Sequence, residues 1–216
     1  MAVKKLLQAP GIRIATDMAG NVLQAYFRSS QDEHSLRKKE MLLQKVMPFL
    51  FEKQPVQDDD LVVRTKYVLA NTLPGKALDV GYYDGAMIEM LRQEGVDAYG
   101  IDHMHRFAMN GTSKYCIQAY AGHLPFQDNT FSTVILSHSL EHILNADLAL
   151  REANRVLARN GRAIVVVPKH ADNKPGHLRF FDEHGLKSTM MPYFKIASYS
   201  RDVGAGHACI GEKLNR

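Results

Sequence analysis

The sequence has no tryptophan and only two cysteines among its 216 residues. Cys116 and Cys209 form no C-x-x-C pair and no zinc-type spacing with histidine, so we expect free thiols in a reducing compartment rather than a disulfide framework. Long hydrophobic runs are also missing. No stretch approaches the roughly 20 apolar residues of a membrane span, and the N-terminus lacks the apolar segment of a signal peptide. These absences predict a soluble, cytoplasmic protein without a membrane span.

A strong excess of charge is missing as well. Lys and Arg number 27 against 23 Asp and Glu, which leaves a net charge of +4. Proteins that bind nucleic acid usually concentrate basic residues on one face, whereas here they are scattered along the chain. The sequence therefore argues against nucleic acid as a partner. It contains no internal repeat, and no pattern in it indicates an oligomeric state.

The first 60 residues differ in character from the rest. Residues 1–34 mix glycine, serine, aspartate and glutamine without a clear period, and apolar residues then recur at helical spacing after Ser35, a suitable N-cap. We interpret residues 1–60 as an N-terminal helical extension or cap. Residues 61–216 are then predicted to form the main domain.

Helical and strand patterns alternate along the main domain. The predicted helices are 61–73, 86–93, 146–159 and 182–191, and the predicted strands are 76–81, 97–102, 115–119, 131–137, 161–167, 194–200 and 207–214. The strand at 161–167 is almost entirely apolar, as expected for a strand buried on both faces. This alternation predicts an α/β fold with a doubly wound, mostly parallel seven-stranded sheet.

The first predicted strand runs into a glycine-containing loop, residues 79–85. Glycine at 81 and 85 allows a tight turn and a close approach of the backbone to a ligand. In open α/β sheets, ligands bind outside the carboxyl ends of the strands. Asp102 ends the second strand, 21 positions after Gly81, where a carboxylate can accept the hydroxyls of a ribose. No G-x-G-x-x-G follows the first strand, which argues against a nicotinamide-dependent dehydrogenase.

Several segments resemble one family when they are taken in order. They are LDVGYYDG (78–85), AYGID (98–102), HLPFQDNTFSTVILSHSLEHI (123–143), LREANRVLARNGRAIVVVP (150–168) and HLRFFDEHGL (177–186). Together, over about residues 61–200, they resemble the class I S-adenosylmethionine-dependent methyltransferases, in particular the type 11 small-molecule branch. The resemblance implies a Rossmann-like methyltransferase fold, S-adenosyl-L-methionine as cofactor and a small-molecule substrate.

The resemblance also implies roles for individual positions. Asp79, Gly81 and Gly85 would line the methionine end of the cofactor, and Asp102 would bind its ribose. The other positions implied in cofactor binding border the loop, the adenine or the sulfonium: Tyr82, Tyr83, His103, Met104, Tyr120, Ala121, Gly122 and Ser137.

Two histidines are the candidate catalytic residues. Methyl transfer depends mainly on holding the acceptor in line with the methyl group, and a base helps when the acceptor must lose a proton. His138 and His142 follow the fourth strand, and histidine titrates near neutral pH. An alternative role for His142 is to fix the loop that contains it. We expect no metal site, because His103 and His105 have no third ligand nearby in the sequence.

The sequence departs from the family pattern at several positions. Tyr83 stands where glycine is usual, and Tyr120 stands where many relatives carry an aspartate that binds the adenine amino group. A tyrosine can stack on a base but does not accept hydrogen bonds as a carboxylate does. These two residues motivate a second hypothesis, in which a degenerate methyltransferase fold serves as a binding or assembly module.

Overall fold

The computed structural model describes residues 58–104, 113–170 and 176–214. The predicted N-terminal extension lies almost wholly outside these residues, so the extension and its boundary remain predictions. The described helices are α1 (Asp58–Asn71), α2 (Ala86–Gln93), α3 (Ala146–Val156) and α4 (Glu183–Met190). The strands are β1 (Lys76–Val80), β2 (Asp97–Asp102), β3 (Cys116–Gln118), β4 (Phe131–Ser137), β5 (Leu157–Pro168), β6 (Phe194–Val203) and β7 (Gly206–Lys213).

The seven strands form one sheet in the order β3-β2-β1-β4-β5-β7-β6. The first five strands are parallel, and β7 is antiparallel to both β5 and β6. The predicted mostly parallel, doubly wound sheet is therefore confirmed, with one reversed strand. Strand β1 pairs with β2 on one side and with β4 on the other. The chain order thus reverses at β1, and the carboxyl ends of β1 and β4 flank the crevice in which such sheets bind ligands.

Helices cover both faces of the sheet. Helices α1 and α2 pack on one face through Val68, Ile88 and Leu91, and α3 and α4 pack on the other through residues such as Leu150 and Leu186. All of these side chains are buried. The central strands are consequently apolar along their whole length, because successive residues enter opposite hydrophobic layers.

Helix α3 is shorter than predicted. It was expected to reach residue 159, but it ends at Val156, and Leu157 already pairs with Phe131 of β4. Asn160 then adopts a left-handed backbone with φ of 60°, where the register between the two strands shifts. The helical spacing of apolar residues includes Leu157, which predicted a longer helix. Leu157 is buried instead as the first residue of a strand.

The structure also bears on the two cysteines and on the lack of long apolar runs. Cys116 and Cys209 are buried free thiols, as predicted. In the part of the chain that the structure describes, no helix has both the length and the apolar character needed to cross a membrane.

Candidate functional site

The loop from β1 to α2 begins with a glycine that the packing requires. Gly81 has φ of 85°, and its N–H donates to the carbonyl oxygen of Ile101, 2.7 Å away. A Cβ atom at this position would lie 2.6 Å from Cβ of Ser139. Glycine is therefore needed where the loop after β4 crosses the loop after β1. Gly85 has φ of 81° and begins α2.

The two tyrosines of this loop have different environments. Tyr82 is 3% exposed, and its ring lies in the core against α2 and β2, so only its backbone borders the loop. Tyr83 is half-buried and has φ of 55°. Its N–H donates to Oδ2 of Asp102 at 3.1 Å. Tyr83 thus adopts a backbone conformation that favours glycine, the residue usual at this position.

Asp102 is the organising side chain at the end of β2. It is 6% exposed, and its carboxylate accepts the N–H groups of Tyr83 at 3.1 Å and Met104 at 2.9 Å. Nδ1 of His103 lies 3.3 Å from Oδ1 of the same carboxylate. A carboxylate offers about four acceptor positions, so it can still accept a ligand hydroxyl beside these partners.

Two aromatic rings lie beside Asp102. The rings of His103 and Tyr120 have centroids 6.5 Å apart and are tilted by 32°. The N–H of Ala119 donates to the carbonyl of Asp102 at 2.9 Å, which fixes the segment that carries Tyr120. Ala121 and Gly122 form the turn closed by the N–H of His123 and the carbonyl of Tyr120.

Asp79 lies in the interior at the centre of the site. It is 3% exposed, and burial raises the pKa of its carboxyl to about 7, although the nearby Arg64 opposes the shift. Among the described residues, its Oδ1 has no hydrogen-bond partner. A buried acceptor of this kind is costly unless a donor meets it. The arrangement is therefore suited to a cationic group of a ligand.

The sequence reasoning missed Arg64, which lies on α1. This arginine is only 8% exposed. Its Nη1 donates to Oγ of Ser137 at 2.9 Å, and its Nε donates to Oδ2 of Asp60 at the same distance. Leu61 and Val68 lie on the same face of the helix as Arg64. The sequence could have indicated a buried arginine here, because Arg64 interrupts the apolar face of a predicted helix.

Ser137 and His138 lie where β4 ends. Ser137 is buried and accepts the hydrogen bond from Arg64. His138 has φ of 52°, and its N–H donates to the carbonyl of Val166 at 2.9 Å. Its Nε2 is directed towards Gly206, where an added Cβ would lie 2.9 Å away. The structure therefore places both predicted residues at the expected edge, with the imidazole packed towards β7.

His142 is held by the loop that follows β5. Its Nδ1 lies 3.0 Å from the carbonyl oxygen of Gly176, and its ring packs edge-on against His177 with centroids 4.6 Å apart. The N–H of Leu178 donates to the carbonyl of Glu141 at 2.9 Å. These contacts tie the two loops together, which fits the alternative role considered for His142 from the sequence.

The site thus combines three recognition elements at adjacent strand ends. Arg64 and Asp79 offer a cation and a buried carboxyl, Asp102 offers a carboxylate one strand away, and two aromatic rings lie beyond it. A ligand that joins an amino-acid group, a ribose and a flat base would complement these elements in that order.

Part of the chain is similar in sequence to known methyltransferases. Residues 78–165 match the family described as "Methyltransferase domain". The ubiquinone/menaquinone biosynthesis C-methyltransferase UbiE of Haemophilus ducreyi is 40% identical over 67 residues, which cover 31% of this chain and 26% of the relative. The matched region thus spans about a quarter of that relative's length.

Solved structures share the fold at low sequence identity. The PH0226 protein from Pyrococcus horikoshii has a TM-score of 0.63 and 17% identity, over 79% of this chain and 98% of that one. The [4+2]-cyclase SpnF has a TM-score of 0.62 and 18% identity, over 75% and 83% of the two chains. Since one neighbour is described as a cyclase, the fold by itself does not fix the reaction.

Proposed function

We propose that this chain is a class I S-adenosylmethionine-dependent methyltransferase that transfers the methyl group of S-adenosyl-L-methionine to a small-molecule acceptor. The family and its cofactor agree with the prediction from the sequence. One observation carries the proposal. A buried arginine and a buried aspartic acid lie together at the strand ends beside β1 and β4, and Asp102 lies at the end of the neighbouring strand.

In this proposal, the amino-acid end of the cofactor binds between Arg64 and Asp79. The guanidinium keeps donors beyond those that it gives to Asp60 and Ser137, and these would bind the carboxylate. The buried Oδ1 of Asp79 would accept from the ammonium group. Both hydrogen bonds would be charge-assisted and shielded from water, which makes them strong.

The nucleoside end binds at β2 and the segment after β3. Asp102 would accept the ribose hydroxyls while Tyr83 and Met104 hold its carboxylate in place. The base would stack between His103 and Tyr120. Stacking by Tyr120 takes over part of the affinity that an aspartate provides in relatives by hydrogen bonding.

When bound, the cofactor supplies the methyl group and a thioether leaving group. The protein's part is to hold the acceptor in line and to exclude water. Of the two candidate bases, His138 directly follows Ser137 at the strand end, and its imidazole would have to turn away from Gly206 of β7 to take a proton from an acceptor. His142 instead fixes the loop, since its Nδ1 is engaged by Gly176. An acceptor that carries a proton on the attacking atom would release that proton to His138 or to solvent.

Calorimetric titration with S-adenosylhomocysteine tests the proposal. We expect binding by the parent chain and a loss of about 10- to 100-fold in affinity for Asp102→Asn, because a hydrogen bond to a charged group contributes roughly 1.5–3 kcal/mol. Asp97→Asn is the matched control, since Asp97 lies at the opposite end of the same strand and pairs with Arg92 at the surface. Its affinity should equal that of the parent.

The same titration separates the alternative function. Tyr83 in a left-handed conformation at a glycine position is the observation that favours a degenerate binding or assembly module. Absence of binding at millimolar S-adenosylhomocysteine would overturn the enzyme proposal in favour of that module. Equal affinity of the parent and Asp102→Asn would show that the cofactor binds elsewhere. A response to NADH instead would point to a dehydrogenase.

A further inference from the structure

Three side chains that the proposed reaction does not use meet at the edge of the site. Glu141, His142 and His177 each offer one ligand atom, and these atoms all lie within 4.8 Å of one another. Glu141 is 1% exposed and His177 is 8% exposed, so the cluster is largely withdrawn from water. From this geometry we propose that the three residues bind one divalent transition-metal ion, with zinc preferred.

The donor atoms of the cluster suit a transition metal. Two imidazoles and one glutamate form a ligand set that catalytic zinc sites use, and it also suits cobalt, manganese and iron. Magnesium and calcium prefer oxygen donors, so two nitrogen ligands disfavour them. A cation between the three groups would also offset the charge of a carboxylate that is buried.

A hydrogen bond holds one of the histidine ligands in place. The Nδ1 of His142 faces the carbonyl oxygen of Gly176 at 3.0 Å, which selects the tautomer with the proton on Nδ1. In that tautomer Nε2, and not Nδ1, is the ring nitrogen that can bind a metal ion. Metal-binding histidines are usually held by a second hydrogen bond of this kind.

Backbone contacts hold the two ligand-bearing segments together. Glu141 and His142 belong to the turn after β4, closed by the N–H of His142 and the carbonyl of Ser139 at 2.9 Å. His177 comes from the segment after β5. The N–H of Leu178 donates to the carbonyl of Glu141 and joins the segments. The ligands are therefore largely assembled before any ion binds.

Three protein ligands leave a coordination position open, as in catalytic rather than structural sites. The turn that carries Glu141 and His142 also carries Ser139, which packs on Gly81 in the loop from β1 to α2. The open position would therefore be filled by water or by an oxygen of a bound acceptor. The metal site itself does not depend on the methyltransferase proposal.

Titration of the chelator-treated full chain with Co²⁺ and then Zn²⁺ tests the inference. We expect one equivalent of Co²⁺ to give visible absorption typical of nitrogen and oxygen ligands without a thiolate band, and Zn²⁺ to displace it. Glu141→Gln and His177→Gln should each weaken binding at least tenfold. His184→Gln changes an exposed histidine on α4 and should bind like the parent.

The outcomes are distinguishable. No Co²⁺ or Zn²⁺ binding by the parent up to millimolar concentration overturns the inference, as does unchanged affinity in Glu141→Gln and His177→Gln. A thiolate band would assign binding to a cysteine and would also overturn it. If a variant fails to fold, as judged by its melting curve without metal, His142→Gln replaces it. The affinity of the parent for S-adenosylhomocysteine is measured in parallel. A parent that binds S-adenosylhomocysteine but no metal ion contradicts only the metal site. A parent that binds the metal ion but no S-adenosylhomocysteine contradicts only the proposed function.

Discussion

Tyr83 holds a left-handed backbone conformation in the loop between β1 and α2, with φ of 55°. An L-residue in this region costs roughly 1–2 kcal/mol, whereas glycine adopts it without steric penalty. The N–H of Tyr83 donates to the carboxylate of Asp102, so the main-chain donor of this strained residue is engaged.

Tyr83→Gly should stabilise the protein. Relief of the strain exceeds the extra backbone entropy of glycine, so we expect the free energy of unfolding in urea to rise by about 0.5–1 kcal/mol. Asn160→Gly is the control at another left-handed residue, φ 60°, where asparagine already tolerates the conformation and the gain should be smaller. A loss of stability in Tyr83→Gly would mean that packing of the tyrosine ring outweighs its backbone strain.

Asp79 is a buried carboxyl whose protonation should be linked to folding. Burial raises its pKa from the ordinary 3.8 to about 7. Between these two values the folded state keeps the proton that the unfolded state has released. This contribution to stability is therefore full below about pH 4, falls as the pH rises towards 7, and stays low above it.

Asp79→Asn should remove this pH dependence. We expect the variant to be more stable than the parent at pH 8, because each unit of separation between the two pKa values corresponds to about 1.4 kcal/mol. The difference between variant and parent should shrink as the pH falls to 5. Urea denaturation at pH 5, 6, 7 and 8 measures it, with Asp97→Asn as the control. Parallel pH profiles for the parent and Asp79→Asn would contradict a raised pKa.

At the scale of elements, Arg155 connects α3 to the segment that leads into β4. The sequence shows Glu152 and Arg155 three residues apart on a helix, a spacing typical of a surface pair. They do form a pair, at 2.6 Å, but the guanidinium also binds Asp128 and the carbonyls of Leu124 and Phe126. The family-like segments around residues 124–128 and 150–156 are thus joined by one side chain.

Arg155→Lys should cost about 1–3 kcal/mol of stability in urea denaturation. Lysine keeps the charge but cannot reach two carboxylates and two carbonyls at once, so partly buried acceptors lose their donors. Arg151→Lys on the same helix is the matched control. Its partner Asp147 lies 3.5 Å away, both side chains are 64% exposed, and the change should cost less than about 0.5 kcal/mol. Equal effects of the two substitutions would show that Arg155 acts only as a surface charge.

At the scale of the whole molecule, α1 connects the end of β4 with the β6–β7 turn and completes the site. Asp60 accepts the N–H of Ala205 in the β6–β7 turn, and Arg64 binds Ser137 at the end of β4. Burial would raise the pKa of Asp60, but the N–H of Ala205 and the guanidinium of Arg64 hold it below its usual value. The helix therefore positions Arg64 in the site only when it is docked on both the end of β4 and the β6–β7 turn.

Asp60→Ala should loosen this docking. We expect faster hydrogen exchange across residues 61–71 and a several-fold loss of S-adenosylhomocysteine affinity, because a charge-assisted bond of roughly 1.5–3 kcal/mol is removed. Asp59→Ala, at the exposed neighbouring position, is the control and should change neither. Unchanged exchange in Asp60→Ala would show that the helix is held by its apolar face alone.

Local patterns in the sequence were enough for the fold and for part of the site. The apolar strands predict a sheet buried on both faces, and Asp102 at its distance from Gly81 predicts a carboxylate beside the loop, as found at 3.1 Å from the N–H of Tyr83. The end of α3 was wrong by three residues, since pairing of Leu157 with Phe131 is not a local property.

The sequence by itself determined the order of the elements and the mostly parallel sheet, because these follow from periodicity, and its short segments carried the resemblance to the methyltransferases. Only the tertiary structure decided that Arg64 reaches the site, that the carboxyl of Asp79 is buried beside it, and that Glu141, His142 and His177 meet. The physical reason is that these residues come from segments far apart in the chain. Their charges and donor atoms gain their effect only where the fold brings them together away from water.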